Sequence, residues 1–243
     1  MELSLRHKVR TFECDKFDNM KADSVMKYMQ EAATNQMTLE GLPYDTLLHR
    51  GIALLINRMD IEFYQPIKKF DELEFRSWPC REKGATLPRK YSVLKAGEEV
   101  AFAIGQWSMV DTSSMKIIRP SEVDFSMYTI EEDNKLTCER FKTPDGLEHL
   151  ADLRIGYNDV DCNGHLNNTN YLKMVQDYVP ELEEGLHISS AKIHFSKEAP
   201  LGSSISLFGK RVIEEGHKFY YFKSLIKKDE IENTNCEIKI ELV

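Results

Sequence analysis

Apolar residues follow two rhythms along this chain, and the order of the rhythms occurs twice. Ala22, Val25, Met26, Met29, Ala33 and Met37 recur at spacings of three and four, which predicts a helix that Gly41 is placed to close. A short PYDTLLHRG segment follows, with Pro43 suited to a helix start and Gly51 to its end. Runs rich in β-branched and aromatic residues predict strands at 52–64, 70–79, 86–96 and 99–112. In the second half Tyr171, Leu172, Val175, Tyr178 and Val179 form a helical stripe that Pro180 is expected to stop. Strands are predicted again at 189–197, 203–214, 218–228 and 234–243. Along the last of these, Cys236, Ile238, Ile240 and Leu242 alternate with polar residues, the pattern of a sheet with one buried face.

The recurrence extends to individual residues. Residues 12–31 can be laid on residues 158–177, so that Asp15 meets Asp161, Met20 meets Leu166, Met26 meets Leu172, and Gln30-Glu31 meets Gln176-Asp177. IEFYQP at 61–66 matches IHFSKE at 193–198 with a shorter offset, as a longer segment after the first helix would produce. One helix followed by antiparallel strands, twice, is an α+β arrangement in which each sheet wraps a helix. The expected organisation is an N-terminal domain over 1–120, an acidic and weakly periodic linker over 121–150, and a C-terminal domain over 151–243.

Composition narrows the classes. With 42% hydrophobic residues in 243, the chain can bury a core, and disorder is excluded. The longest apolar run, Ile52–Ile56, is far short of the ~20 residues that span a bilayer, and the start lacks a secretory or transit pattern, so a cytoplasmic address is expected. Five scattered cysteines without a CxxC pair argue for reduced thiols, not a disulfide frame or zinc ribbon. No histidines stand at ligand spacing, and no phosphate-binding glycine loop occurs, so neither metal nor nucleotide cofactor is expected. A net charge of −8 without a nucleic-acid-binding signature excludes nucleic acid as the expected partner.

The chemistry concentrates in DVDCNGHLNNTNY, residues 159–171, just before the second helix, where Asn167 or Asn168 is a natural N-cap. If the approach is extended, Asp161, Asn163 and His165 share one side and Cys162 takes the other, which disfavours a Cys/His nucleophile. Unpaired N–H groups at a helix start can receive an oxyanion, so the cluster suits acyl transfer. The alternative is that these residues only cap the helix and tie a turn. The repeat bears on this choice: the first half has Phe17 and Asn19 in place of Asn163 and His165, and Pro66 in place of Glu198. Polar residues needed only for the fold would be needed in both halves.

Asn163, His165, Asn167, Asn168 and Tyr171, preceded by Asp161, resemble the signature of the acyl-acyl carrier protein thioesterases. The resemblance covers nearly the whole chain and includes the first-half MQEAATNQ helix, the RGIALLINRMDIEF strand and GQWSMVD. It implies two tandem hotdog folds, each an antiparallel sheet wrapped around a central helix, and a bacterial-type member without a plastid extension. The implied catalytic residues are Asp161, Asn163, His165 and, in FSKEA, Glu198. Plant members carry a cysteine at the position of Ala199 and a tryptophan at that of Met174. The implied reaction is thioester hydrolysis, with Glu198 as base or nucleophile, His165 and Asn163 positioning water and carbonyl, and Asp161 orienting one of them.

Val25, Met26, Met29, Ile52 and Leu54 are the expected acyl-chain positions, joined by Asn168 and Met174 beside the signature. Acyl carrier protein is the implied partner. Being acidic, it would need a basic patch, for which Arg6/Lys8/Arg10, Lys68/Lys69, Arg81/Lys83/Arg89/Lys90 and Lys210/Arg211 are candidates. Acyl-CoA hydrolysis, a non-catalytic acyl-binding or regulatory module, and hydratase chemistry stay open at this point, as does association into a homodimer.

Overall fold

The computed structural model describes residues 4–132, 137–228 and 231–243. It divides into two compact units, Met1–Cys138 and Glu139–Val243. The first runs β1 (Ser4–Lys8), α1 (Ala22–Leu39), α2 (Tyr44–His49), β2 (Ile52–Phe63), β3 (Glu72–Pro79), β4 (Leu87–Lys95), β5 (Glu98–Asp111) and β6 (Ile117–Ile118). Its antiparallel strands lie in the order β1-β3-β4-β5-β2, with β6 beside β5. The second runs β7 (Glu148–Arg154), α3 (Asn168–Gln176), α4 (Pro180–Glu183), β8 (Ile188–Phe195), β9 (Ser204–Glu214), β10 (His217–Lys228) and β11 (Ile231–Leu242). Its order, β7-β9-β10-β11-β8, is the same order over again.

The helix of the first unit forms where the three-and-four spacing predicts it. Val25, Met26 and Met29 are fully buried on its inner face, and burying each such side chain contributes ~1.5–3 kcal/mol. The helix ends as the glycine signal requires. Gly41 takes φ +92°, its N–H bonds the Thr38 carbonyl, and the Leu42 N–H reaches back to the Met37 carbonyl at 3.1 Å. Leu42 and Met37 then meet in one apolar cluster.

Three expectations change. Pro180 does not stop α3, which ends at Gln176; it opens the short helix α4, where its missing N–H costs nothing. Strands β1 and β7 escape the periodicity, because SLRHK and EHLADLR carry too few apolar residues to signal a buried face. The stretch 121–150 is not bare linker. Val123, Phe125 and Tyr128 pack on Met37, Leu42 and Leu47, and the Tyr128 hydroxyl donates to the Leu42 carbonyl at 2.6 Å. Its far end, Glu148–Leu150, begins β7; residues 133–136 lie outside the described residues.

In the second sheet, Gly209 is placed by close approach. A Cβ there would lie 2.6 Å from Leu150 Cδ1 and 2.9 Å from Phe222 Cδ1. Leu150 is the residue skipped in the β7–β9 register, so this bulge and the glycine fit one another. Gly209→Ala is expected to lower unfolding free energy by ~1–3 kcal/mol through overpacking, measured by urea denaturation.

Candidate active site

The same backbone turn precedes both helices. In the second unit a single 3₁₀ turn at Tyr157–Asp159 leads to a hairpin in which Val160 bridges Leu166 and the Asp161 N–H bonds the His165 carbonyl at 3.0 Å. The Gly164 N–H returns to the Asp161 carbonyl, and Gly164 sits at φ +77°, the left-handed position that closes a three-residue loop. The first unit repeats each feature. Thr11–Glu13 forms the 3₁₀ turn, Cys14 bridges Met20, the Asp15 N–H bonds the Asn19 carbonyl, and Asp18 is left-handed at φ +63°.

Each turn is tied to the chain that follows the next strand. The Leu166 N–H bonds the Ala199 carbonyl at 2.8 Å and the Leu201 N–H bonds the Gly164 carbonyl at 3.0 Å. Met20 to Ile67 (2.7 Å) and Lys69 to Asp18 (2.8 Å) are the first-unit equivalents. These bonds bring residue 165 to residue 198. His165 Nε2 lies 3.6 Å from Glu198 Oε2, with the side chains 33% and 42% exposed, so the pair is open to solvent and to a ligand.

The loop closes too tightly for an extended 161–165, so the alternation argument about side-chain direction does not apply. Cys162 and Asn163 are both exposed on the hairpin tip. Asp161 differs from its expected role as well: its Oδ1 accepts the Asn163 N–H at 2.8 Å, an Asx turn that Asp15 makes with the Phe17 N–H at 2.8 Å. By the criterion that fold residues occur in both halves, Asp161 builds the turn. Asn167 is the N-cap of α3, its side chain accepting the Thr169 N–H and hydroxyl at 2.9 and 2.7 Å. The Asn168 N–H, first in the helix, has no partner among the described residues and is free to receive an oxyanion.

The remaining expected positions scatter. Val25, Met26 and Met29 lie fully buried on α1, whereas Ile52 and Leu54, half-buried on β2, pack with the Met37–Leu42–Leu47 cluster. Asn168 and Met174 are half-buried on α3. The Arg81/Lys83/Arg89/Lys90 cluster is not a surface patch: Arg89 and Lys90 are buried, Arg89 donating to Gln36 (2.8 Å) and Ser77 (3.0 Å) and Lys90 pairing with Glu131 at 2.7 Å. Lys69 is held by Asp18 and Arg211 by Glu181. Burial pushes the Cys80 thiol up to about 11, Cys138 to about 12 and Cys236 well above its ordinary value. Among the described residues no group of three or more His, Cys, Asp or Glu could hold a metal ion. Nor is any described helix long and apolar enough to cross a membrane.

One residue behind the pair carried no sequence signal. Asn235 is fully buried on β11, where its carbonyl accepts the Ser196 and Lys197 N–H groups and its side-chain amide donates to the Lys197 carbonyl and, at 2.9 Å, to the Tyr171 hydroxyl. The β10–β11 register skips it, passing from Ser224↔Cys236 to Leu225↔Thr234. A bulge therefore buries two successive residues, and simple alternation cannot find the polar one.

Residues 3–124 match the model of the acyl-ACP thioesterase N-terminal domain, and residues 144–242 match that of the C-terminal domain. The chain belongs to the acyl-ACP thioesterase family. Among curated members it is 22% identical over 209 residues to a chloroplastic palmitoyl-acyl carrier protein thioesterase of Cuphea hookeriana, covering 78% of this chain and 50% of that one. It is 25% identical over 194 residues to chloroplastic oleoyl-acyl carrier protein thioesterase 2 of Arabidopsis thaliana, covering 71% and 53%. The chain thus spans about half the length of the curated relatives it matches. A solved acyl-ACP thioesterase from Bacteroides thetaiotaomicron superposes with a TM-score of 0.84 at 19% identity, covering 99% of this chain and 97% of that one. The 12:0-ACP thioesterase from Umbellularia californica superposes with 0.76 at 20%, covering 100% and 98%. The fold is the α+β, hotdog-type fold expected of the family.

The turn role of Asp161 has a direct check. An asparagine side chain at this position would retain an oxygen acceptor for the Asn163 N–H, so Asp161→Asn is expected to keep its melting temperature. Its kcat should fall by less than the ~10²-fold typical of losing a proton-transfer group. A loss equal to that of His165→Ala would give Asp161 a part in the chemistry.

Proposed function

We propose that this chain is a cytoplasmic hydrolase that cleaves the thioester of a fatty acyl group carried on acyl carrier protein, releasing free fatty acid. The observation that carries the reading is the His165–Glu198 pair, 3.6 Å apart and solvent-accessible at a helix start. In the first half the same positions hold Asn19 and Pro66. Family membership supports the substrate class.

In the proposed step a water placed by His165 and Asn163 attacks the thioester carbonyl carbon and gives its proton to the Glu198 carboxylate. The carbonyl oxygen becomes an oxyanion, which the free Asn168 N–H receives at the positive end of α3. The intermediate collapses with cleavage of the C–S bond. The carrier's thiolate leaves without strong acid assistance, because an ordinary thiol ionises near pH 8.5, and takes up the proton held by Glu198. No cysteine stands beside Glu198 to act in its place: Ala199 follows it, and Cys236 is buried with a raised pKa. Met174, half-buried on α3 beside the pair, is the proposed acyl-chain position, and its exchange for a larger residue should shift the chain-length profile.

Thiol release from matched acyl-ACP and acyl-CoA substrates tests this reading. The expected result is a higher kcat/KM on acyl-ACP, and a ~10²- to 10⁴-fold loss of kcat in both His165→Ala and Glu198→Ala. Preference for CoA would overturn the carrier, full activity in both variants would overturn the site, and binding without thiol release would make the protein an acyl-binding module. Alkylation of the exposed Cys162 is expected to leave the rate unchanged, measured after treatment with iodoacetamide.

A further inference from the structure

The polar group behind Glu198 is a feature of one half alone. The bulge that buries Asn235 recurs in the first unit, where the β4–β5 register passes from Val93↔Ala101 to Leu94↔Glu99 and skips Val100. The Tyr64 N–H bonds the Val100 carbonyl at 2.9 Å, as the Ser196 N–H bonds the Asn235 carbonyl at 2.9 Å. Val100 therefore stands where Asn235 stands, and Val93 where Ser224 stands. By the register of the two helix-start turns, Val25 stands where Tyr171 stands. Three valines, each fully buried, occupy in the first unit the places of a tyrosine, a serine and an asparagine that are buried just as deeply in the second.

These three polar side chains bond one another. The Ser224 hydroxyl donates to Asn235 Oδ1 at 3.0 Å, and Asn235 Nδ2 donates to the Tyr171 hydroxyl at 2.9 Å and to the Lys197 carbonyl. An asparagine suits the place because one end must accept and the other must donate twice; an aspartate would face the Lys197 carbonyl with a second acceptor. The Tyr171 ring also packs edge-on against Phe195, at a centroid distance of 5.7 Å, where β8 ends and the Glu198 loop begins. The valine set shows that the fold is built without these bonds. A buried polar group costs free energy unless it is hydrogen-bonded, and a bonded buried network restrains what it touches. What its side chains hold here is the Lys197 carbonyl, a bond the valine set cannot make.

We infer that Tyr171, Ser224 and Asn235 are positioning residues that hold the Lys197 backbone, and through it the neighbouring Glu198 carboxylate, at the distance from His165 that the hydrolytic step needs. The inference rests on the proposed role of Glu198. A displacement of about 1 Å at a reacting group can cost on the order of 10²-fold in rate, so the network acts on kcat and leaves KM largely alone.

The test measures kcat, KM and melting temperature for Asn235→Val, Asn235→Asp and Tyr171→Phe, each alone and in a Glu198→Ala background. Tyr171→Phe deletes one hydroxyl and keeps the reading available if a substitution at 235 impairs folding. The expected result is a loss of kcat of about tenfold or more with KM within about twofold. In the Glu198→Ala background the same substitutions should change the residual rate by less than about twofold, since residues that act as a unit are not additive. Wild-type kcat in Asn235→Val and Tyr171→Phe beside a crippled Glu198→Ala overturns the inference alone. So does an equal fractional loss in both backgrounds, which would mean action independent of Glu198. Wild-type kcat in Glu198→Ala overturns the reading of the site, and this inference with it.

Discussion

The hydrogen bond from the Leu166 N–H to the Ala199 carbonyl is the constraint from which the candidate site follows. It closes a backbone tie between the turn that starts α3 and the loop that leaves β8, segments some thirty residues apart in the chain. The residues on either side of the tie, His165 and Glu198, are brought to 3.6 Å as a consequence. Main-chain groups make the tie, so it does not depend on side-chain identity. The first unit shows this by making the same bond between Met20 and Ile67 with different residues around it. A backbone frame that tolerates any side chain at two converging positions is well suited to hosting chemistry, because those positions can change without loss of the fold.

His165 and Glu198 sit at the surface of the second unit, where water screens their attraction, and neither is locked to a third side chain by a hydrogen bond among the described residues. Burial raises the Tyr171 phenol well above its ordinary value, with the charge of Glu198 adding to the effect, so Tyr171 stays protonated and serves as a neutral hydrogen-bonding group. Mechanistic weight falls on placement and on the helix start.

Much of this was legible in the residues, and what was not has identifiable causes. Helix α1 and eight strands were legible because their apolar spacing is regular, and the repeat was legible because the turn requires an aspartate at both Asp15 and Asp161. The role of Asp161 was not, since an Asx bond to the next-but-one N–H looks in sequence like any polar residue beside a histidine. Strands β1 and β7 were hidden by charged residues. Arg89 and Lys90 read as surface cations, yet Gln36, Ser77 and Glu131 supply enough hydrogen bonds to bury them. Asn235 was hidden by a bulge, which displaces the two-residue period by one.

The three valines of the first unit also bear on why two copies of one fold share a chain. Identical subunits would have to carry every sequence feature twice, so a polar network needed behind one carboxylate would also sit behind its symmetry mate. Joined in a single polypeptide, the copies are free to diverge: Val25, Val93 and Val100 keep three places in one copy apolar, while Tyr171, Ser224 and Asn235 at the matching places of the other bond one another. Covalent linkage thus permits broken symmetry at the level of the core.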